Sequence, residues 1–304
     1  MSKRKIRIGT RESKLALWQA KAAANQLKKF GYNSSIVPIK SDGDQNLTQP
    51  IYSFGIQGVF TRALDSALID DKIDIAVHSL KDVPTALPSG IIINSVLERG
   101  NPLDIILFKN EEDLLKSQSV GTGSLRRKAQ WLNKYPQDKT EPIRGNVQTR
   151  LEKLDSLTIK GIILAKAGID RLAINTIKFK TLSWMIPAPA QGTIGIASLE
   201  SNEFIKKALV GVNCEKTFYC TTIEREFLKI LEGGCSAPIG ALASIENEIV
   251  NFKGGLFSLD GKDSVLCNYK FSLNEDPEFL GKKFAFELLK KGGDRIISKI
   301  KNKI

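Results

Sequence analysis

The sequence predicts an α/β protein that ends in a smaller α+β domain. Three observations support this fold class. The chain has 304 residues. A single hydrophobic core rarely supports a chain of this length, so two or three domains are expected. Over the first two-thirds, short apolar runs of strand length alternate with amphipathic segments of helix length. After about residue 212 this alternation gives way to a helix, three consecutive strands and a closing helix.

Local patterns predict the elements of the α/β part. Ser13 is a suitable N-cap, and Gly31 a suitable stop, for an amphipathic first helix. Continuous apolar stretches predict buried strands, and a polar turn before an amphipathic segment predicts a helix start. In chain order we expect strand 6–9, helix 13–30, strand 35–40, helix 59–71, strands 73–77, 91–97 and 104–108, helices 124–134 and 146–155, and strand 159–165, in largely parallel sheets.

The last part of the chain has a different pattern. An amphipathic segment over residues 221–231 runs into the Gly233-Gly234 pair, which predicts a long helix that ends there. Strands are then predicted near 239–245, 248–259 and 265–272, and a helix over 277–290. Strands that follow one another without intervening helices indicate a separate α+β domain.

Two kinds of connecting segment interrupt these patterns. Residues 40–58 are polar, lack a period and contain Gly43, Pro50, Gly55 and Gly58. Loops of this length in compact domains are usually functional or mobile, so we predict a mobile lid at about 41–58. The segments 98–102 and 186–189 are predicted to connect domains.

The charge balance first suggests an anionic partner. The net charge is +12, and a basic excess of this size is compatible with nucleic-acid binding. Most of the excess is lysine, however, and its clusters near the C-terminus are typical of a solvated surface. Few aromatic residues accompany the basic clusters and no recognition motif is evident. We therefore expect no nucleic-acid partner.

Composition also excludes several other classes. No apolar run approaches the length of a membrane span, and no apolar stretch follows the basic N-terminus as in a secretory signal. We therefore expect a cytoplasmic protein with no membrane partner. The single histidine, His78, and four cysteines without CxxC spacing argue against a metal site.

Arginine is concentrated in turns that precede helices. Three turns, at residues 9–13, 121–127 and 144–150, each combine glycine, a hydroxyl or amide side chain, and arginine at a predicted helix start. Helix N-termini attract anions and disfavour cations, so arginine there suggests a bound anion. The chain has no GxxxxGK[ST] loop and no complete dinucleotide fingerprint, which favours a ligand with several carboxylates over a nucleotide. The alternative is ordinary helix caps with arginines that face water.

Two further residues suggest chemistry. Asp82 lies in a polar turn after a buried strand, where α/β sheets bind ligands, and it suits acid–base catalysis or the stabilisation of a cation. Cys235 lies in a glycine-rich turn, where a thiol can act as a nucleophile or an attachment point. The alternatives are a turn-capping aspartate and an incidental cysteine. His78 fits a packed, structural histidine.

These segments together resemble the hydroxymethylbilane synthase (porphobilinogen deaminase) family from end to end. Each motif alone is weak, but they occur in the order and at the spacing of that family. The matching segments are 9–11 with Ser13 and 15–16, then 74–84, 121–127, 144–151, 167–172, 191–196 and 231–240.

The resemblance implies a fold and an activity. It implies two periplasmic-binding-protein-like α/β domains, one of residues 1–98 and 193–212 and one of residues 99–192, with the active site in the cleft between them. A smaller C-terminal α+β domain, residues 213–304, carries the cofactor cysteine. The implied enzyme is a monomeric transferase that joins four porphobilinogen molecules head to tail, with loss of ammonia, into the linear tetrapyrrole hydroxymethylbilane.

The resemblance also implies roles for individual residues. Cys235 would hold a dipyrromethane cofactor through a thioether, and Asp82 would assist loss of ammonia and stabilise the azafulvene cation. The cofactor's acid groups would be bound by Ser79, Lys81, Thr122, Ser124, Arg126 and Arg127. The substrate or growing chain would be bound by Arg11, Ser13, Gln19, Phe60, Arg144, Asn146, Arg150, Arg171, Gln191 and Gly192. No metal is implied.

Four positions depart from the family pattern. Gln57 stands where relatives usually carry lysine, Gly123 replaces a common serine, Ala190 replaces a usual glycine, and Leu103 replaces a frequent arginine. None of these changes removes the acid, the thiol or the arginine set, so an active enzyme is predicted. The alternative function is a non-enzymatic binding protein for a small carboxylic acid.

Overall fold

The computed structural model describes residues 4–40, 61–116, 118–232 and 237–302. The chain divides into two compact units, one of Met1–Gly100 with Gly192–Phe218 and one of Asn101–Gln191 with Tyr219–Ile304. Both units are built from more than one stretch of chain. The predicted lid, at about 41–58, lies outside the described residues.

The elements alternate as the α/β prediction requires. Through the first 191 residues they are β1 (Ile6–Arg11), α1 (Lys14–Lys29), β2 (Ser34–Ile39), α2 (Arg62–Ile69), β3 (Ile75–Ser79), β4 (Ile91–Val96), β5 (Asp104–Phe108), α3 (Asp113–Lys116), β6 (Ser119–Gly121), α4 (Leu125–Lys134), β7 (Lys139–Glu141), α5 (Val147–Ser156), β8 (Ile162–Ala165), α6 (Lys166–Arg171) and β9 (Lys178–Thr181). The remaining elements are β10 (Ile194–Leu199), α7 (Glu203–Val210), α8 (Glu215–Glu232), β11 (Ile239–Glu246), β12 (Ile249–Phe257), β13 (Ser264–Ser272), α9 (Pro277–Leu288) and α10 (Asp294–Lys301).

The first unit is built on a five-stranded sheet of order β2-β1-β3-β10-β4. Strands β1, β2 and β3 are parallel, whereas β10 runs antiparallel to both of its neighbours, β3 and β4. Apolar side chains cover both faces. Ala20 and Leu27 of α1 pack on one face, and Leu64 and Leu68 of α2 pack on the other.

The second unit contains a sheet with the same plan. Its order is β7-β6-β8-β5-β9. Strands β6, β7 and β8 are parallel, and β5 runs antiparallel to its neighbours β8 and β9. In each sheet, therefore, one antiparallel strand lies between the last strand and the three other strands, all four of which run in the same direction. The α/β fold class is confirmed. The expectation of largely parallel sheets holds for four of the five strands in each of these two sheets, and one strand, β10 or β5, runs against the others.

The C-terminal elements form the predicted α+β domain. Strands β11, β12 and β13 make an antiparallel sheet, and the rings of Phe227, Phe252 and Phe284 contact one another in the core of this domain, edge-on or tilted. Within the second unit this domain is bonded to residues 101–191. The fully buried carboxylate of Glu224 accepts the backbone N–H of Ala190 at 2.6 Å and that of Ala243 at 2.7 Å.

Some element boundaries differ from prediction for physical reasons. The strand predicted at 73–77 is Ile75–Ser79, because pairing with β10 extends it through His78 and Ser79. The helix predicted at 221–231 begins earlier, at Glu215. Strands β6, β7, β9 and β10 were not predicted. β6, β7 and β9 are short, and β7 and β9 are also polar and lie at sheet edges.

One negative finding concerns membranes. Among the helices in the parts of the chain that the structure describes, none is long and apolar enough to span a bilayer.

Candidate active site

A pocket in the first unit lies at the carboxyl ends of β1 and β3. It is lined by five of the residues predicted to act on ligand or substrate, together with His78 and Thr61. The predicted five are Arg11, Ser13, Gln19, Ser79 and Asp82. Parallel strands end at the same edge of a sheet, which explains why turns distant in sequence meet here.

The polar groups of this pocket are arranged as donors. The Ser13 hydroxyl oxygen caps α1 by accepting the N–H of Ala16 at 3.3 Å. The buried Gln19 amide donates to the Ser79 hydroxyl oxygen at 2.8 Å. Each hydroxyl thus accepts one bond and keeps its own hydrogen to donate. With the guanidinium of Arg11, these donors suit an anionic group.

Asp82 supplies a carboxylate at the edge of the same pocket. A short 3₁₀ turn, Leu80–Asp82, follows β3 and is held by the buried Leu80, whose N–H donates to the Thr193 carbonyl at 3.0 Å. The Asp82 side chain is exposed, and it makes no ion pair or hydrogen bond with any residue in the described ranges. Its neighbour Lys81 is half-buried. This turn therefore presents a carboxylate that can act on a ligand.

His78 is buried beside Arg11 in this pocket. Burial, and then the positive charge of Arg11, lower the pKa of His78 to about 4. The imidazole is therefore neutral near neutral pH. The expectation of a packed histidine is met in its burial, but the side chain also lines the pocket.

In the second unit, predicted site residues gather at the carboxyl ends of β6 and β7. Thr122 and Ser124 follow β6. The Thr122 hydroxyl oxygen accepts the N–H of Ser124 at 3.2 Å, and the Ser124 hydroxyl oxygen caps α4 by accepting the N–H of Arg127 at 3.4 Å. As in the first unit, each hydroxyl keeps a hydrogen to donate.

Arg126 and Arg127 share an internal partner, Asp104, that was not predicted from the sequence. Both are buried, and both bind the fully buried carboxylate of Asp104, at 2.7 Å from Arg126 and 2.9 Å from Arg127. Burial acts to raise the pKa of Asp104, but the two guanidinium groups outweigh it and hold that pKa far below its usual range. The two arginines and one aspartate retain one net positive charge. In the sequence, an acidic residue at the start of an otherwise apolar strand could have indicated this buried ion pair.

Arg144 and Arg150 flank the start of α5. Asn146 caps this helix with its side-chain oxygen, which accepts the N–H of Thr149 at 3.0 Å. The Arg150 Nε donates to the Gly145 carbonyl at 2.8 Å. The Nη1 atom of Arg144 is buried and has no hydrogen-bond partner among the residues that the structure describes. A buried guanidinium nitrogen without a partner is costly, and an incoming anion would satisfy it.

Arg171 ends α6, the helix that follows β8. The half-buried side chain is desolvated enough to lower the pKa of Arg171 to about 10. It still carries a full charge near neutral pH. Desolvation of a cation is offset when a carboxylate lies beside it.

Gln191 lies inside the second unit. It is fully buried, and its amide donates to the Pro102 carbonyl at 2.8 Å and to Asp104 at 3.0 Å. This side chain therefore orients Asp104, and its two amide hydrogens are both engaged within the second unit. Gly192, in the first unit, has φ +88° and its carbonyl accepts the N–H of Gly100 at 3.0 Å.

Three of the departures from the family pattern fall in described residues. A side chain at Gly123 would place a Cβ 2.7 Å from the Ile143 carbonyl oxygen, so the turn is packed around glycine. Ala190 adopts φ +60°, a conformation that costs an alanine roughly 1–2 kcal/mol. The backbone N–H of Leu103 donates to the side-chain oxygen of Asn101. Gln57, Phe60 and the proposed attachment point Cys235 lie outside the described residues.

Comparison with known proteins identifies the family. Residues 6–207 match the model for the porphobilinogen deaminase, dipyromethane cofactor binding domain, and residues 218–290 match the porphobilinogen deaminase C-terminal domain. The chain belongs to the porphobilinogen deaminase family. It is accordingly a transferase with a dipyrromethane-binding domain, as the sequence predicted.

Full-length relatives agree with this assignment. The chain is 39% identical over 310 residues to the porphobilinogen deaminase of Listeria monocytogenes, covering 99% of each chain. It is 38% identical over 306 residues to that of Desulforamulus reducens, covering 98% of this chain and 99% of the relative. The enzyme of Carboxydothermus hydrogenoformans is 39% identical over 307 residues, with 98% of each chain covered.

Solved structures outside the family are more distant. A periplasmic VFT2 domain of BvgS from Bordetella pertussis aligns with a TM-score of 0.42 and 10% identity, over 68% of this chain and 86% of that chain. A putative periplasmic sulfonate-binding protein from Methylobacillus flagellatus aligns with a TM-score of 0.37 and 14% identity, over 73% of this chain and 68% of that chain.

Proposed function

We propose that this enzyme joins four porphobilinogen molecules head to tail into hydroxymethylbilane, releasing ammonia, with Asp82 as the catalytic acid–base group. The observation that carries this proposal is the pocket of the first unit. It combines one exposed carboxylate with several side chains arranged as hydrogen-bond donors.

The substrate suits this arrangement chemically. Porphobilinogen carries an acetate and a propionate, and Arg11, Ser13 and Gln19 offer hydrogen-bond donors to such carboxylates. The pyrrole N–H is a donor and would bind the Asp82 carboxylate. That carboxylate would then stabilise the positive charge that develops on the substrate as ammonia leaves.

The residues of the second unit fit the acid groups of a dipyrromethane. Arg126 and Arg127 keep one net positive charge after pairing with Asp104, and Thr122 and Ser124 each keep a hydroxyl hydrogen to donate. Together with Lys81 and Ser79 of the first unit, we propose that they bind the cofactor's carboxylates. When bound through a thioether to Cys235, the cofactor supplies the pyrrole end on which the chain grows.

The remaining cations suit the carboxylates of the growing chain. Arg144 offers a buried nitrogen without a partner, and burial depresses the pKa of Arg171. Both features place the guanidinium groups in an environment that an anion improves. Arg150 and Asn146 lie in the same turn and helix start. We assign these four residues, with Phe60 and the backbone of Gly192, to substrate and chain binding, in a cytoplasmic monomer.

Intact mass and turnover test the proposal together. Protein made in cells that supply porphobilinogen should exceed its polypeptide mass by one dipyrromethane, and Cys235→Ser should abolish the excess. Asp82→Asn should keep the cofactor mass and lose turnover of porphobilinogen by about a hundredfold or more. A bare polypeptide mass in the wild type would contradict the cofactor role of Cys235. A near-normal rate in Asp82→Asn would remove Asp82 from the mechanism.

A further inference from the structure

The imidazole of His78 occupies a distinctive position in the pocket of the first unit. His78 lies one residue before the end of β3, and its Cα pairs with that of Gly195 in β10. Only 6% of the residue is exposed, yet it lines the same pocket as Arg11, Ser79 and Asp82. A central strand of the sheet therefore fixes the ring at the wall of the pocket.

The ring nitrogens of His78 are available within this pocket. They form no hydrogen bond with the residues that the structure describes. A nearly buried polar ring without an internal partner needs one from elsewhere, because unmet polar groups are costly inside proteins.

The surroundings of His78 decide which form of the ring is present. Burial and the charge of Arg11 both disfavour the imidazolium. Asp82 is the one carboxylate among the described residues that line the pocket, and it is exposed to solvent. A neutral imidazole carries one N–H donor and one acceptor nitrogen, so it can bind an anion without adding a second cation beside Arg11.

We propose that His78 is a substrate-contacting residue that donates its imidazole N–H to the substrate carboxylate held by Arg11. This inference rests on the proposed function. The aminomethyl group of porphobilinogen is a less suitable partner, because its ammonium charge would be repelled by the nearby guanidinium. His78 would thus help to recognise the acid side chains of porphobilinogen, whereas Asp82 acts on the pyrrole and aminomethyl end.

The composition of the chain offers a direct test. His78 is the single histidine, so its ring gives the only histidine side-chain NMR signals. Asp82→Asn holoenzyme, which binds but does not turn over substrate, would be titrated with porphobilinogen. We expect the His78 ring signals to shift in a saturable way, and the shift to weaken in a second variant that adds Arg11→Gln. Unchanged ring signals at saturating porphobilinogen would overturn the proposal.

Kinetics provide the second test. His78→Phe keeps the ring size without the nitrogens, and we expect it to raise the KM for porphobilinogen by roughly tenfold to a hundredfold, as expected for a lost bond to a charged group. We expect kcat to change by less than about threefold, since His78 does not touch the reacting carbon, and His78→Asn, which restores an N–H, to recover part of the KM. Ser95→Ala in β4, which deletes a buried hydroxyl without a partner, is the packing control and should leave KM unchanged.

The outcomes separate this inference from the function on which it rests. A wild-type enzyme that fails to consume porphobilinogen would reject the proposed function itself. An active wild type with an unchanged KM in His78→Phe would reject only the role of His78. If His78→Phe does not fold, His78→Asn and the NMR titration still decide the question.

Discussion

Within the described parts of the chain, the Nη1 atom of Arg144 is buried without a hydrogen-bond partner. Internal bonds account for the neighbouring polar groups, such as the Nε atom of Arg150 on the Gly145 carbonyl. Natural proteins rarely leave a buried charged donor unmatched, and exceptions concentrate where a ligand binds. An anion bound at Arg144, as proposed, would satisfy this nitrogen.

A substitution at Arg144 should separate binding from stability. Arg144→Gln should raise the KM for porphobilinogen by about tenfold to a hundredfold, because a charge-assisted bond is lost. The melting temperature should stay within about 2 °C of the wild type, since the Nη1 atom makes no internal bond. Steady-state kinetics and thermal unfolding measure the two effects. Arg295→Gln, an exposed arginine in α10, is the control, and an equal KM for both variants would contradict the assignment.

At this scale the sequence could indicate residue types but not their partners. Clustered arginine suggested a ligand with several carboxylates, and the partner that the structure shows for Arg126 and Arg127 is Asp104, more than 20 positions away. Helix-start arginine has the same pattern whether its anion is a ligand or a buried aspartate. Pairings between distant residues depend on how strands assemble, which local patterns do not contain.

The turns that join a strand to the following helix combine two roles. Ser13, Ser124 and Asn146 each cap the helix that follows by accepting a backbone N–H. These bonds confirm the predicted helix starts, which depend only on local chemistry. They also show that capping and ligand binding are compatible, because the oxygen accepts the backbone bond while the hydrogens remain for a ligand. Helix capping and anion binding can therefore occur at the same turn.

Gly145 gives a test at this scale. It has φ +111°, and a Cβ there would lie 2.7 Å from the Thr149 side chain. Gly145→Ala should destabilise the protein by about 1–3 kcal/mol and raise the KM, because both flanking arginines depend on this turn. Gly90→Ala is the matched control, since Gly90 also has positive φ, +79°, but open space around its Cβ position.

Unfolding and kinetics would be compared for these two glycine variants. Destabilisation caused by the positive φ should appear in both variants. The further destabilisation caused by the crowded Cβ, and the higher KM, should appear only in Gly145→Ala. Equal destabilisation with an unchanged KM in both would show that the turn at Gly145 does not position the arginines.

The whole molecule contains two mixed sheets with one plan, and in each the antiparallel strand pairs with strands that are distant from it in sequence. The alternation of strands and helices made the α/β class predictable. The positions of β5 and β10 were not predictable from local pattern, because their pairing joins residues about 60 to 120 positions apart. The division of the chain into compact units also depends on such contacts.

Glu224 tests whether the C-terminal domain and residues 101–191 behave as one unit. Its buried carboxylate bonds to Ala190 and Ala243, so Glu224→Gln should cost about 2–4 kcal/mol, since the amide cannot accept both bonds equally well. Hydrogen exchange should accelerate in both β8 and β12. Glu278→Gln, with a side chain 58% exposed, should change neither. Acceleration confined to β12 would show that the C-terminal domain unfolds independently.

The place of β10 also has a consequence for synthesis on the ribosome. β3 and β4 pair with β10 and not with each other, and roughly 100 residues separate them from it, which take about 5–20 s to translate. During that interval β3 and β4 each have an edge in the nascent chain that awaits pairing with β10. Delayed closure of this kind calls for transient shielding, so slowing translation between codons 97 and 193 should increase capture by chaperones.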